Sequence, residues 1–149
     1  MGYYLQAFIG KANDIVRIEQ AFTLSKVTTL KQDISLIMLT EKLFKQITDS
    51  VPSDDIGGFE YLTSKVELKI LDAIQNDTIA YIEAEYFGGE GWQSAIIWKN
   101  GKRIKEIKLT DNAINSVLDY FGVIAEKGKD EFDTLQFGIL KCDTGWESS

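Results

Sequence analysis

Residues Thr78 to Leu109 read TIAYIEAEYFGGEGWQSAIIWKNGKRIKEIKL, and their pattern decides the fold class. From Ile79 to Phe87 the side chains alternate between two faces, as strand geometry requires. Ala80, Ile82, Ala84 and Tyr86 point one way, and Ile79, Tyr81, Glu83, Glu85 and Phe87 the other. Glu83 and Glu85 therefore share a face, separated by one pleat repeat of about 7 Å. Gly88-Gly89-Glu90-Gly91 then connects to Trp92, and its glycines permit backbone angles that other residues resist. Trp92 to Lys99 is the partner strand. Asn100-Gly101 is a strong two-residue hairpin signal. Lys102 to Leu109 is a third strand, whose Lys102, Arg103, Lys105, Glu106 and Lys108 suit a guarded sheet edge. The stretch is a three-stranded meander.

Upstream, Tyr3 to Ile9 reads as a strand. Asn13 or Asp14 is a fitting N-cap for a helix carrying Ile15, Ile18 and Phe22 on one stripe. Lys26 to Lys31, the turn Gln32-Asp33, and Ile34 to Leu39 form a hairpin. Thr40 caps a second helix that ends before Pro52. Ser53 to Gly58 is an exposed loop, and Ser64 caps a third helix to about Gln75. Downstream, Thr110 or Asp111 caps a fourth helix with Ile114, Val117, Leu118 and Phe121 inward and Gly122 at the C′ position. Lys127 to Asp133 reads as a polar loop, Leu135 to Cys142 as strand or short helix, and Trp146 as an anchor folding back on the body. The order β-α-β-β-α-α-β-β-β-α predicts an α+β fold: an antiparallel sheet of about five to six strands with helices on one face. At 149 residues the chain reads as one domain, 1–149.

Composition narrows function. The chain has 23 acidic and 16 basic residues, a net charge of −7. Phosphate contact needs a basic surface, so nucleic acid and anionic membranes are poor partners, whereas a basic protein is a good one. Histidine is absent and Cys142 is the single cysteine. Ser-His-Asp and Cys-His nucleophile arrangements are thereby excluded, and zinc is poorly served. A lone cysteine fits a reducing compartment. The opening MGYYLQAFIGKAND reads as a strand, not a signal peptide, and no apolar run reaches the roughly 18 residues of a membrane span. A cytoplasmic location is the expectation, without cofactor.

The candidate site is the tip of the meander: Glu83, Glu85, Tyr86, Glu90, Trp92 and Gln93. Two carboxylates at this spacing are compatible with acid/base hydrolysis of a glycosidic type. Two glutamates at i, i+2 on a strand are, however, common on solvated faces and in cross-strand ion pairs. Divalent metal binding lacks a DxDxDG-type loop. The GGEG turn leads into a strand and lacks phosphate-loop spacing, so it holds no nucleotide. Carboxylates among aromatic side chains suit a recognition surface better, because aromatics carry interface energy. Binding is favoured over catalysis; the alternatives are a small carboxylate-based hydrolase, a small-molecule-binding protein, or a homo-oligomer joined through the Lys102–Leu109 edge.

AYIEAEYFGGEGWQSAIIW, the opening MGYYLQAFIGK and the late DEFDTLQFG together resemble a group of small bacterial cytoplasmic proteins with no assigned activity. In style, as small, acidic α+β chains, they are also similar to immunity proteins of bacterial toxin systems. That second resemblance implies a basic cognate toxin as partner and carries over no catalytic residue.

Overall fold

Most of the central strands have no wet face, and the architecture follows from that. The computed structural model describes residues 2–87 and 90–140. In chain order it contains β1 (Gly2–Lys11), α1 (Ala12–Ala21), β2 (Val27–Thr29), β3 (Ile34–Met38), α2 (Glu41–Thr48) and α3 (Ser64–Ile74). There follow β4 (Thr78–Phe87), β5 (Glu90–Lys99), β6 (Lys102–Thr110), α4 (Ala113–Tyr120) and α5 (Glu131–Thr134). A 3-10 turn, Phe137–Ile139, comes last. The strands form a six-stranded sheet in the order β2-β3-β1-β4-β5-β6, antiparallel at every pairing. The expected α+β class, antiparallel sheet and meander are all present.

One detail of the expected architecture differs: helices cover both faces. Ile15, Ile18, Leu43, Ile47, Val66, Ile70 and Ile74 of α1 to α3 pack on Phe8, Ile37, Ile79, Tyr81, Ile96 and Trp98. On the opposite face Ile114, Val117 and Leu118 of α4, with Phe121, Leu135 and Phe137, pack on Leu5, Ala7, Ile9, Ala80, Ile82, Ala84, Ala95 and Ile97. The alternation of β4 is thus between large and small side chains rather than between dry and wet ones. Ala80 and Ala84 leave room for α4, whereas Ile79 and Tyr81 fill the other core. A sheet buried on both sides needs such near-continuous apolar strands.

Several helix starts also differ from expectation. Strand β1 runs directly into α1 with Lys11 at the cap position; Asp14 lies inside the first turn, where its carboxylate accepts the Thr78 N–H at 3.4 Å. Thr40 caps α2 as expected, accepting from Leu43 N–H, but Thr63 rather than Ser64 caps α3. Neither Thr110 nor Asp111 caps α4, whose cap position is Asn112. The second half of the supposed polar loop at 127–133 starts α5, with the Asp130 carboxylate accepting from Asp133 N–H. The turn glycines fit: Asn100 and Gly101 have φ of 54° and 77°, and Gly122 has 84°. Gly88, Gly89, Cys142 and Trp146 lie outside the described residues.

Strand β6 is one of the two sheet edges and is broken by two register shifts against β5. One falls by Leu109, at φ 55°, whose N–H donates to Ser94 Oγ at 2.9 Å. Bulges and lysines are the ordinary means of blunting an edge against further pairing.

Candidate recognition surface

The predicted site residues divide by strand parity. Tyr86 and Gln93 lie on the α4 side. The Gln93 side-chain N–H donates to Tyr86 Oη at 3.2 Å, and its Oε1 accepts the Ile114 N–H at 2.9 Å. Gln93 therefore caps α4 from a neighbouring strand, satisfying one of the free N–H groups at a helix start. At 8% exposure it is a structural residue. Gln93→Ala leaves the buried Ile114 N–H unpaired and should lower the unfolding free energy by about 1.5 kcal/mol. Urea denaturation checks this, and an unchanged midpoint would refute the cap.

Glu83, Glu85, Glu90 and Trp92 lie on the other side, but not as one group. Glu83 is 1% exposed and both its oxygens are engaged. Oε1 accepts the Glu60 N–H at 2.7 Å; Oε2 accepts the Tyr61 N–H at 2.9 Å and the Tyr81 hydroxyl at 2.7 Å. The carboxylate thus fastens the 53–63 loop across the sheet, while Ile56, Phe59 and Leu62 of that loop enter the core. Burial pushes the Glu83 carboxyl up to about 7, against the pull of its three donors. The expected accessible Glu83/Glu85 pair is therefore not formed. The two backbone N–H donors that bury Glu83 lie 23 and 22 residues away in sequence, so no local pattern marks it as buried.

Beyond the loop, this face of the sheet carries a different set of side chains. The register places Tyr4 opposite Glu85 and Glu85 opposite Trp92, a row of three across β1, β4 and β5. Phe87 pairs with Glu90 in the next row, and Phe87 is 67% exposed. Tyr4 and Trp92 are half-buried and belong to neither core. Glu60, exposed on the loop, approaches from the side: burial and then the charge of Glu85 hold its carboxyl above the usual range. Among the described residues no Lys or Arg pairs with Glu60, Glu85 or Glu90. By contrast, Glu67 of α3 is committed to structure. Burial raises its carboxyl, but the bidentate Arg103 guanidinium and the Trp98 indole N–H outweigh that and hold it low.

Gly91, opposite Tyr86 on the other face, sets how closely β4 and β5 approach beside this surface. A Cβ built there would stand 1.9 Å from the Glu85 carbonyl oxygen and 2.7 Å from Tyr86 Cα. Only glycine permits so close an approach of the two strands. The sequence pattern brings Glu85, Phe87, Glu90 and Trp92 to this surface but not Tyr4 and Glu60. Tyr4 and Glu60 reach the surface through pairing and loop placement that no local pattern encodes.

Among the described residues no group of His, Cys, Asp and Glu is arranged to hold a metal ion, and no helix is long and apolar enough to cross a membrane. The chain matches no protein-family model, and no curated protein or solved structure is significantly similar to it.

Proposed function

We propose that this chain is a protein-binding module for a basic partner, in the manner of a bacterial immunity protein that neutralises a cognate toxin. The observation that carries the reading is the row Tyr4–Glu85–Trp92 with Glu60, Phe87 and Glu90 around it. It is an aromatic surface, left uncovered by the helices and rimmed by carboxylates that pair with no Lys or Arg among the described residues. Aromatic side chains supply contact energy at little entropic cost, and unpaired carboxylates speed encounter with a positive surface. The net charge of −7 acts in the same direction. The hydrolase alternative has less support, because Glu83, the partner expected for Glu85, has both oxygens occupied inside the protein.

The test is binding to purified basic proteins encoded beside this chain, with association rates measured at rising ionic strength. Binding should be fast at low salt and weaken as salt screens the charges. Glu85→Gln with Glu90→Gln should slow association by about threefold to tenfold and leave thermal stability unchanged. Absence of binding by any neighbour-encoded protein at low salt, or an association rate indifferent to both substitutions, would sink the proposal.

A further inference from the structure

We infer that the row Tyr4–Glu85–Trp92 is a slot for one arginine side chain of the partner. The inference rests on the protein-binding reading above and names the group recognised. Glu85 stands between two aromatic side chains on adjacent strands, all three on one face. Tyr4 and Trp92 are two strand spacings apart, about 10 Å between backbones. Glu85 projects between them, so a planar cation that pairs with its carboxylate meets an aromatic side chain on either side. Glu60, whose backbone N–H is held by Glu83, adds a second negative charge; burial and then the charge of Glu85 raise its carboxyl.

Guanidinium fits this arrangement better than ammonium. It is flat, stacks on aromatic faces, and offers a fork of N–H donors that one carboxylate can accept in parallel. Aromatic faces attract it through the ring quadrupole. Lysine, a compact and strongly hydrated point charge, uses the carboxylates but gains less from the rings. The buried neighbours hold the slot open. Glu83 fastens the Glu60–Tyr61 backbone beside it, and Gly91 lets β5 lie against β4 directly beyond it.

The probes are three capped tripeptides, Gly-Arg-Gly, Gly-Lys-Gly and Gly-citrulline-Gly, titrated into the full chain and followed by amide and indole chemical shifts. The arginine peptide should shift Tyr4, Glu60, Glu85 and Trp92, and bind about tenfold more tightly than the lysine peptide. The citrulline peptide, isosteric but neutral, should leave the row unmoved. Glu85→Gln and Trp92→Ala should each weaken arginine binding by about tenfold, and Trp92→Phe, which keeps a ring and the fold, should retain it. Equal shifts with arginine and citrulline, or binding unaffected by Glu85→Gln, would overturn the slot. A natural partner whose affinity survives both Glu85→Gln and Trp92→Ala would sustain the module and overturn the slot. Arginine-selective binding at this row without any protein partner would sustain the slot and overturn the module.

Discussion

Glu83→Ala is expected to destabilise the protein by about 3–5 kcal/mol, because buried donors left without an acceptor cost about 1–3 kcal/mol each. The substitution removes the acceptor for the Glu60 N–H, the Tyr61 N–H and the Tyr81 hydroxyl together. The 53–63 loop then loses its fastening to the sheet, and Glu60 leaves its place beside the recognition row. Glu83→Gln keeps one acceptor oxygen and should cost less, about 1–3 kcal/mol. The two variants also separate geometry from charge. The folded carboxyl sits at about 7, above the ordinary value of 4.5. Below about pH 4.5 the group is protonated in both states, and its contribution to stability is fully present. As pH rises through 7 the unfolded chain ionises first, so stability falls, by about 3 kcal/mol in all. Above pH 7 the loss is constant. Denaturant titrations at pH 5 and pH 8 should show this loss in the wild type and not in Glu83→Gln; equal pH dependence in the two would show that Glu83 titrates normally.

Gly91→Ala should produce the second large effect, about 3 kcal/mol, by forcing atoms into occupied space. Its new Cβ meets backbone on the adjacent strand, the Glu85 carbonyl oxygen at 1.9 Å and Tyr86 Cα at 2.7 Å. Backbone yields far less readily than the end of a flexible side chain, so β4 and β5 must part at the tip. Trp92 then moves relative to Glu85, and partner binding should fall together with stability. Denaturation and amide shifts along β4 and β5 check both consequences. A Gly91→Ala variant with wild-type stability and unmoved shifts would show that the strands do not approach this closely. The contrast with Glu85→Gln is informative: that change should spare stability and weaken binding, since Glu85 is half-exposed and its carboxylate forms no ion pair among the described residues.

The two substitutions mark different degrees of legibility. The meander was plain because β4 and β5 alternate with period two and Asn100-Gly101 supplies the positive φ pair that a tight hairpin needs. The element order through α4 was equally plain, since each of those helices carries a stripe and the connections carry turn residues, whereas α5 reads as part of a polar loop. Glu83 was visible as a carboxylate in a strand but read as surface, because on one face it repeats with Glu85. The difference between them is made by Glu60 and Tyr61, whose N–H groups reach Glu83 and leave Glu85 uncovered. Gln93 was likewise read as part of a tip. Its task, capping α4, exists only once Ile114 is packed against β5.

By itself, then, the sequence determined the α+β class, the strand pairing within the meander, and the acidic, aromatic character of its tip. These are local properties: side-chain period, turn chemistry and charge act within a few residues of one another. Only the tertiary structure decided that helices cover both faces of the sheet, that Glu83 is a latch, and that Tyr4, Glu85 and Trp92 stand in one row. Those outcomes depend on β1 lying beside β4 across some 80 residues of chain, and on a loop crossing the sheet. Long-range pairing of this kind is selected by the fit of whole faces, which no single stretch of residues contains.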